Sequence, residues 1–507
     1  MTLGATFGVS LFGLDGNLIH IEVDISDGLP TYSLLGLPDL ALSESRDRIR
    51  SALLNSHERW PNKKVTVSLS PAWLPKSGSH FDLPIAVALL AAQGLIPSER
   101  LSHTVFFGEL ALDGRIRHAR GVLPALLALR NLEIETAVIP YENFSETRLL
   151  KNLKIIPVKN IRDVLGWLRR NEIPEQPTVI DEEVKADTKD FAEVLGQESA
   201  KFALEVAAVG SHHVLMIGPP GTGKTMLAER FPTIMPPLTE DESIQVSAIH
   251  SLSGDLQHRG ISTRQPPFVA PHHTTSRAAM IGGGSHAIKP GACSLAHRGI
   301  LFVDEAPECA TGVLDALRQP LESGAVTISR AIGSATFPAQ FVLALAANPC
   351  PCGRFAGRGR ACQCTSVQVR RYLHRLSGPL LDRIDIRLQV LPPTRESLSS
   401  RAKSESSAEI RARVIEARGR SETRLLPIGI SRNSEIPASF LRDKLSAERS
   451  AMVFLHGELE KENITARGFH KVLRVAWSIA DLAAHEIPSL SDVQQAMTLR
   501  EGLELMS

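Results

Sequence analysis

The amino-acid sequence lacks a long apolar run. No window of its 507 residues holds eighteen uninterrupted apolar residues, and the longest candidate spans only 83–97. A membrane-spanning helix needs about twenty such residues, so this run predicts a buried helix of a folded domain. The first residues also lack the basic segment of a signal peptide and reach Asp15 early. We therefore expect a cytoplasmic protein with no membrane partner.

The sequence also lacks a strong net charge and a dense cysteine pattern. Its 56 basic and 55 acidic residues leave a formal charge of +1, which excludes a globally basic nucleic-acid binder but not a local basic surface. Six cysteines in a chain of this length do not form a disulfide scaffold. Four of them are crowded into 350–364, which favours a metal site over crosslinks.

The composition that is present is typical of a core-forming protein. Hydrophobic residues make up 43% and charged residues 22%, which excludes a mainly disordered chain. At about 150 residues per domain, the length predicts about three domains. The clearest boundary is 171–190, because it contains two prolines and seven acidic residues but no apolar period. We expect an N-terminal domain at 1–170, a linker at 171–190, a central domain at 191–392 and a helical region at 393–507.

Short apolar strands alternate with helical runs along most of the chain. In the central domain the strands are continuously apolar, which favours a parallel sheet covered by helices on both faces. The predicted fold class is therefore α/β, with an α+β N-terminal domain and helices at the C-terminus. The strand-like runs are 65–69, 104–107, Val214–Ile217, Ile300–Val303 and 342–346, and the helical runs include 83–92, 123–132 and 470–484.

A glycine-rich loop follows the run Val214–Ile217 and precedes a helical run. It matches GxxxxGK[ST] in the strand–loop–helix context that phosphate-binding loops require. Glycines let backbone N–H groups turn toward phosphates, and the helix N-terminus adds partial positive charge. Lys224 is expected to reach the β- and γ-phosphates of ATP, and Thr225 to ligate Mg²⁺. The candidate nucleotide-binding residues are Gly218, Pro219, Pro220, Gly221, Thr222, Gly223, Lys224 and Thr225.

Two further strands end in polar residues that ATP hydrolysis requires. Asp304 and Glu305 directly follow the C-terminal end of the run Ile300–Val303. Asp304 is expected to hold the Mg²⁺ shell, and Glu305 to orient the attacking water. The next apolar strand leads to Asn348, whose amide could contact the γ-phosphate or that water. Together with the phosphate-binding loop, these residues predict an ATP-hydrolysing site.

The order of these elements resembles the AAA+ ATPases, in the branch that contains magnesium chelatase and the MCM replicative helicases. The segment 327–337 resembles the pre-sensor hairpin of that branch, and 378–385 resembles its arginine-finger segment. The resemblance implies that Arg383 projects into the nucleotide site of a neighbouring subunit. The alternative for Arg383 is a structural ion pair with Asp382 or Asp385. The resemblance also implies a sensor arginine in the C-terminal helical lid, with Arg467 preferred over Arg474.

The N-terminal region resembles the Lon-type protease domain. Residues 75–90 are similar to the segment around its nucleophile, and 107–121 to a later strand and turn. His80 stands where that family has its serine, and Leu123 where it has its lysine. A Ser–Lys dyad needs both groups, so we expect no peptidase activity. Ser77 and Ser79 with Lys76 form an alternative dyad, for which a mobile polar loop is the simpler interpretation. The domain is expected to serve assembly or DNA contact.

The whole architecture is similar to the ComM/YifB group of magnesium-chelatase-like proteins. The shared motifs include 36–39, 81–84, 270–273 and 282–284. The resemblance implies a hexameric, ATP-driven DNA helicase that promotes branch migration when incoming single-stranded DNA is integrated during natural transformation. The expected partners are single-stranded and branched DNA and further copies of the chain. The alternatives are a metal-chelatase-type motor and another ATP-driven remodelling factor.

A cysteine cluster and an arginine-rich segment follow Asn348. Two CxC pairs supply four thiolates, the set that suits tetrahedral Zn²⁺, and a reduced or redox-active thiol cluster is the alternative. Segment 353–378 has six arginines and no acid, which favours contact with the DNA backbone, a solvated loop or an acidic neighbouring subunit. Adjacent histidines on a strand point to opposite faces. We therefore place the pair 272–273 in an insert loop near nucleotide or DNA. The cysteines are Cys350, Cys352, Cys362 and Cys364, and the arginines are Arg354, Arg358, Arg360, Arg370, Arg371 and Arg375.

Overall fold

The computed structural model describes the chain in ten segments. They are 2–76, 78–130, 132–150, 153–177, 189–254, 264–284, 288–330, 333–355, 362–392 and 404–501. Ser77 and most of the predicted linker, 178–188, lie outside the described residues, as does the start of the predicted helical region, 393–403. None of the helices in the described part of the chain combines the length and the apolar character needed to cross a membrane.

The N-terminal part of the chain forms a mixed seven-stranded sheet. Its strand order is β3-β4-β2-β1-β5-β8-β9, with β1–β2 and β2–β4 antiparallel and the other pairs parallel. A short β6–β7 ribbon lies beside it. The strands are β1 (Thr2–Phe12), β2 (Asp15–Ser26), β3 (Tyr32–Leu35), β4 (Lys64–Ser70), β5 (Thr104–Phe106), β6 (Glu109–Leu110), β7 (Ile116–Arg117), β8 (Thr136–Pro140) and β9 (Lys154–Val158). The helices are Leu40–Ser43, Ser45–Asn55, Asp82–Ala92, Val122–Leu127 and Ile161–Arg170.

Burial in this sheet follows the pleat. In β4, Val65, Val67 and Leu69 are buried while the alternate residues are not, as expected for a strand with one face in the core. The predicted buried helix is confirmed at Asp82–Ala92, and it packs directly on β1. The approach is close because Gly4 has no side chain: a Cβ there would lie 2.2 Å from the carbonyl oxygen of Ala88.

The central part contains a five-stranded parallel sheet, as the apolar strands predict. Its order is β11-β14-β17-β10-β18. Val214 and Met216 lie in one hydrophobic core and Leu215 and Ile217 in another, so both faces are covered. The strands are β10 (Val214–Ile217), β11 (Phe268–Val269), β14 (Ile300–Val303), β17 (Val342–Ala347) and β18 (Ile386–Gln389), with the hairpins β12 (Gly282–Gly283) with β13 (Lys289–Pro290) and β15 (Ala325–Arg330) with β16 (Gly333–Pro338). The helices are Glu198–Gly210, Lys224–Ile234, Glu240–Ser253, Arg277–Ile281, Ala292–Leu295, Thr311–Ala316, Arg318–Ser323, Ser366–Leu373 and Gly378–Leu381.

The C-terminal part is helical and shares a core with the central sheet. Helix Ala466–Ala483 packs against Glu198–Gly210, and residues of both belong to the same buried cluster. A buried ion pair joins them to the end of the central sheet: Lys471 Nζ lies 2.8 Å from Asp385 Oδ1. The helices are Ser407–Leu425, Ala438–Asp443, Arg449–Glu460, Ala466–Ala483 and Leu490–Glu501.

The N-terminal part contacts the central part at several places, two of which involve functional elements. The turn between β1 and β2 meets the hairpin β15–β16, where a Cβ on Gly333 would lie 2.8 Å from the ring of Phe12. On another element, Ser251 Oγ donates a 2.6 Å hydrogen bond to the buried carboxylate of Glu146. The predicted pre-sensor hairpin therefore lies directly against the N-terminal sheet.

Candidate nucleotide-binding site

The glycine-rich loop occupies the connection between β10 and the helix Lys224–Ile234. Gly221 and Gly223 have φ of +76° and +89°, which glycine adopts without strain. Gly218 is needed for a different reason: a Cβ there would lie 2.2 Å from the carbonyl oxygen of Val390 on the neighbouring chain segment. Gln197 stabilises the loop, because its Nε2 donates a 2.7 Å hydrogen bond to the carbonyl oxygen of Thr222. Local sequence gives no signal for Gln197, because it lies far from the loop along the chain.

Lys224 lies at the centre of this edge of the sheet. Its ammonium donates to the carbonyl oxygens of Gly218 at 2.6 Å and Pro219 at 3.0 Å, and to Asn348 Oδ1 at 3.2 Å. Burial lowers the pKa of Lys224, and the carboxylates of Asp304 and Glu305 act in the opposite direction. Three oxygen acceptors thus hold the Lys224 ammonium at this edge of the sheet.

The other predicted groups converge on the same edge because three parallel strands end there. β17 lies between β10 and β14, which places Asn348 between the loop and Asp304. Thr225 Oγ1 donates to Asp304 Oδ2 at 2.8 Å. Adjacent ligands of an octahedral Mg²⁺ with bonds of 2.0–2.1 Å lie about 2.9 Å apart, so these two oxygens fit neighbouring positions around that ion.

Glu305 occupies a conformation that non-glycine residues rarely adopt. Its φ is +48°, directly after Asp304, whose Oδ1 accepts a hydrogen bond from the Glu305 backbone N–H at 2.8 Å. The Glu305 carboxylate lies 3.4 Å from His273 Nδ1. The rings of His272 and His273 lie 4.1 Å apart, and the pair lies in a loop beside Glu305, which agrees with the predicted loop near the nucleotide. They are not in a strand, and the alternation of a strand therefore does not apply.

The two predicted arginines lie together on another surface of the chain. Arg383 forms an ion pair with Glu322 and donates to the carbonyl of Pro379. Arg467, which is exposed, lies 3.4 Å from Asp382, the neighbour of Arg383. Ion pairing of Arg383 with Asp382 or Asp385 is not what the structure shows, because Arg467 and Lys471 pair with these carboxylates.

Arg474, the other candidate sensor, has a structural contact. Its Nε donates to the carbonyl of Ile436 at 2.9 Å. Burial lowers the pKa of Arg474, against the effect of nearby Asp385. This environment ties Arg474 to the packing of the C-terminal helices, whereas the Arg467 side chain is 80% exposed and, among the described residues, has only its contact with Asp382.

The four cysteines that follow Asn348 form a compact cluster. All four sulfur atoms lie within 4.8 Å of one another. Cys350 Sγ lies 3.3 Å from Cys352 Sγ and 3.6 Å from Cys362 Sγ. Hydrogen bonds from the Arg354 N–H and from Cys350 lower the pKa of Cys352 to about 6, which favours its thiolate form. The cluster could hold a metal ion, and it packs on the phosphate-binding loop, because a Cβ on Gly353 would lie 2.6 Å from Pro220.

The arginine-rich segment is only partly within the described residues, since Arg358 and Arg360 lie outside them. Arg354, Arg370 and Arg371 are exposed. Arg375 instead forms a 3.0 Å ion pair with Glu308, just beyond the acidic pair 304–305. The segment therefore presents at least three guanidinium groups to solvent beside the cysteine cluster.

In the protease-like segment of the N-terminal sheet, His80, Lys76 and Ser79 each have a structural contact. The His80 ring stacks on Phe107 at 4.3 Å, and its Nε2 lies 3.0 Å from the Val9 carbonyl. The pKa of His80 is lowered to about 4, chiefly by burial. Lys76 donates to the carbonyl of Pro71, and Ser79 to Glu109. Lys76 and Ser79 thus have different partners and form no dyad, Leu123 is a core residue, and the candidate Ser77 lies outside the described residues.

Comparisons with protein families cover nearly the whole described chain. The family described as magnesium chelatase, subunit ChlI, matches residues 190–398, and the one described as subunit ChlI of Mg-chelatase matches 21–143. The C-terminal family of the same subunit matches 404–500. The parallel sheet and the helical C-terminal region agree with a magnesium-chelatase-like AAA+ fold, a family that implies an ATPase with ATP and Mg²⁺ as ligands.

Relatives that match over nearly their whole length identify the group to which the chain belongs within this family. An uncharacterised protein of Mycobacterium tuberculosis is 44% identical over 501 residues, covering 99% of both chains. The competence protein ComM of Haemophilus influenzae is 38% identical over 100% of this chain and 99% of its own. The uncharacterised protein YifB of Salmonella typhimurium is 39% identical over 99% of this chain and 97% of its own. The chain therefore belongs to the ComM/YifB-type magnesium-chelatase-like proteins.

Proposed function

We propose that the chain hydrolyses ATP and uses it to drive movement on DNA. The observation that carries the proposal is the convergence of Lys224, Thr225, Asp304 and Asn348 at one edge of the parallel sheet. Lys224 binds the β- and γ-phosphates, and Thr225 with Asp304 holds Mg²⁺. Glu305 orients the attacking water, and its contact with His273 fixes the direction of the carboxylate.

Asn348 and two arginines complete the proposed reaction. Asn348 contacts the γ-phosphate from the end of β17. Arg383 and Arg467 lie on one surface, beside Asp382, which supports a role for both toward the nucleotide of a neighbouring subunit. An arginine supplied in trans can raise the rate of phosphoryl transfer by roughly 10³ to 10⁵. We propose a hexameric ring on this basis and on the family resemblance.

DNA is the proposed substrate of the motor. Support comes from the exposed arginines Arg354, Arg370 and Arg371 and from the relation to a protein named for competence. The proposed activity is branch migration on single-stranded and branched DNA during integration in natural transformation. The N-terminal domain, 1–170, is proposed to be Lon-like without protease chemistry. The proposed linker is 171–190, and the proposed ATPase core and helical lid are 191–392 and 393–507.

The cysteine cluster is proposed to bind one Zn²⁺. A tetrahedron of thiolates with Zn–S bonds near 2.3 Å has edges of about 3.8 Å, close to the sulfur separations of 3.3 and 3.6 Å in this cluster. Metal analysis of freshly purified, unchelated protein should find one zinc per chain. Its absence would leave the redox-active thiol cluster as the explanation of Cys350, Cys352, Cys362 and Cys364.

The deciding experiment measures ATP hydrolysis with no DNA and with single-stranded, duplex and branched DNA. We expect stimulation, strongest with branched DNA, and its loss in Arg370→Ala/Arg371→Ala. Arg411→Ala, an exposed arginine on helix Ser407–Leu425, is the matched control and should behave as the parent protein. Lys224→Ala should abolish nucleotide binding and all activity. A rate that no DNA changes would refute the DNA-motor proposal while leaving the ATPase intact.

A metal-chelatase-type motor is the second candidate, favoured by the three family matches. Such a motor acts on a separate chelating partner rather than on DNA. Metal insertion into a tetrapyrrole with partner subunits added, and no effect of DNA on ATP hydrolysis, would support it. Any other ATP-driven remodelling factor would show neither response.

A further inference from the structure

The helix Ser366–Leu373 begins directly after the cysteine cluster, and its first turn is firmly capped. Thr365, which follows Cys364, is the capping residue. Its Oγ1 accepts a hydrogen bond from the Gln368 N–H at 3.3 Å, and the Gln368 side chain accepts one from the Thr365 N–H at 2.8 Å. Such a reciprocal cap stabilises the start of a helix. This part of the arginine-rich segment is therefore a defined element rather than a loose loop.

The two faces of this helix have different surroundings. Arg370 and Arg371 are exposed, and they belong to the surface that is proposed to contact DNA. Val369 and Tyr372 are buried, and only 5% of Tyr372 is exposed. Successive helical residues lie about 100° apart, so each arginine lies about 130° around the axis from the middle of the buried face. One helix thus presents cations to solvent and an aromatic side chain to the interior.

The buried face lies beside Asn348, the residue directly after β17. Burial, and then the negative charge of Glu308, raise the pKa of Tyr372 to about 12, while a hydrogen bond with the Asn348 backbone acts against them. Glu305 contributes to the same shift of the Tyr372 pKa, so the water-orienting carboxylate is also near. The helix that carries the exposed arginines therefore contacts the candidate site for ATP hydrolysis.

Arg375, two residues beyond the helix, holds the turn that follows Glu305. Its Nη1 donates to the carbonyl oxygen of Pro307 and to Glu308 Oε2, both at 3.0 Å. The turn is tied back to Glu305, because the Glu308 N–H donates to the Glu305 carbonyl oxygen at 2.7 Å. Glu305 has a φ of +48°, which is costly for a residue with a side chain. Surrounding contacts must maintain such a conformation, and those of Arg375 are among them.

We propose that Arg375 positions Glu305 for hydrolysis, and that the helix Ser366–Leu373 transmits contact with DNA to this arginine. The Arg375 N–H donates to the carbonyl oxygen of Tyr372 at 3.2 Å, so Arg375 follows a shift of the helix. DNA phosphates that bind the exposed face displace the helix, and Arg375 carries the displacement to the turn and to Glu305. The proposal rests on the proposed DNA motor and identifies the residue that links its two sites.

Two features favour a positioning role for Arg375 over a further contact with DNA. Its guanidinium already serves two acceptors of one turn, whereas Arg370 and Arg371 have no ion pair or side-chain hydrogen bond within the described segments. The geometry of a reacting site is also sensitive to small shifts, since a displacement of about 1 Å can cost roughly a hundredfold in rate. A modest movement of the turn is therefore enough to change the rate of hydrolysis.

The test measures kcat, KM for ATP and affinity for branched DNA in Arg375→Ala. Loss of a hydrogen bond of ordinary strength lets the turn leave its productive conformation, so we expect kcat without DNA to fall about two- to tenfold. Stimulation by DNA should be lost, whereas the KM for ATP and the DNA affinity should match the parent protein. Arg375→Lys keeps the charge and one donor, so its kcat should lie between. Arg115→Ala removes an exposed arginine that pairs with Asp113 at 2.7 Å, and this matched control should behave as the parent.

Two further variants test the route through the turn. Arg375→Ala/Glu308→Ala should be no slower than Arg375→Ala alone, because residues that act through one contact are not additive. Tyr372→Phe keeps the ring and removes only the hydroxyl beside Asn348, so it should reduce the stimulation by DNA without changing DNA affinity. Full additivity of the double variant, or parent-like stimulation of Tyr372→Phe together with Arg375→Ala, would overturn the proposed route.

The outcomes separate this inference from its alternatives. Weaker DNA binding by Arg375→Ala, with a smaller salt dependence and an unchanged kcat without DNA, would overturn it in favour of a direct DNA contact. Weaker ATP binding together with an altered circular dichroism spectrum would overturn it in favour of a folding role. If no DNA stimulates the parent protein, the DNA motor and the transmission both fail. A lower kcat of Arg375→Ala with an unchanged KM would then still support the positioning of Glu305.

Discussion

Substitution of Gly353 tests whether the cysteine cluster supports the phosphate-binding loop. Gly353 lies in the turn after Cys352, with φ of +72°, and a Cβ there would lie 2.6 Å from both Cγ and Cδ of Pro220. Real Cβ contacts essentially never fall below 3.0 Å, and both atoms belong to a rigid proline ring. Gly353→Ala must therefore displace either the turn or the loop that holds the nucleotide.

The magnitude follows from two separable costs. A left-handed conformation costs a residue with a Cβ about 1–2 kcal/mol, and overpacking by a methyl group costs about 1–3 kcal/mol more. Gly429 provides the matched control, since its φ is +71° and nothing lies within 4 Å of its Cβ position. Gly429→Ala carries only the first cost, so the difference between the two variants isolates the contact with Pro220.

The assay is titration with a fluorescent ATP analogue, alongside the zinc content of each variant. If the overpacking of about 1–3 kcal/mol distorts the loop rather than the turn, Gly353→Ala should weaken nucleotide binding about 5- to 150-fold. The conversion follows because 1.4 kcal/mol is a factor of ten in affinity. Gly429→Ala should bind the analogue like the parent, and neither substitution should change the zinc content measured for the parent protein. Equal affinities of the two variants would refute the mechanical link between cluster and loop.

Three further outcomes are expected. Glu305→Gln should preserve ATP binding and slow hydrolysis, because the Mg²⁺ ligands remain while the water loses its orienting group; equal loss of binding would contradict that role. Asp385→Asn leaves the buried Lys471 without its counter-charge and should cost about 3–5 kcal/mol in urea unfolding. Burial lowers the pKa of His297 from 6.5 to about 3, so the unfolded chain binds more protons below pH 6.5. The contribution of neutral His297 to the free energy of unfolding is therefore fully present above pH 6.5, and it falls by up to about 1.4 kcal/mol per pH unit as the pH is lowered toward 3. In urea denaturation, His297→Asn should reduce this dependence of the unfolding free energy on pH.

The strands and the nucleotide loop could be predicted because their signals are local. Val214–Ile217 and Ile300–Val303 are apolar runs that end in a glycine-rich motif or paired carboxylates, and both strands have the predicted bounds. Parallel strands end at one edge, which is why Asn348 could be assigned to the same site before any contact was known. The predicted helix 123–132 was less accurate: it spans only Val122–Leu127.

The partners of the charged groups could not be predicted in the same way. Arg383 pairs with Glu322 and Gln197 reaches Thr222, and in each case the partner lies on a different element. A carboxylate two residues away from an arginine in sequence is a natural first choice, yet Asp385 is drawn inward by Lys471 and His212. Asp385 pairs with Lys471 because the ammonium group of Lys471 is buried on helix Ala466–Ala483. No local sequence pattern predicts this contact.

One stretch of chain connects the features that sequence reasoning treated separately. The hairpin β15–β16 lies against Phe12 of the N-terminal sheet and leads into β17. β17 ends at Ala347, directly before Asn348, and the cysteine turn that follows packs on Pro220. β17 is therefore preceded by a hairpin that contacts the N-terminal sheet and followed by a cysteine turn that contacts the glycine-rich loop. Because β17 is a central, fully buried strand in a close-packed interior, we expect a displacement of Asn348 by a bound nucleotide to be transmitted along the strand rather than absorbed within it.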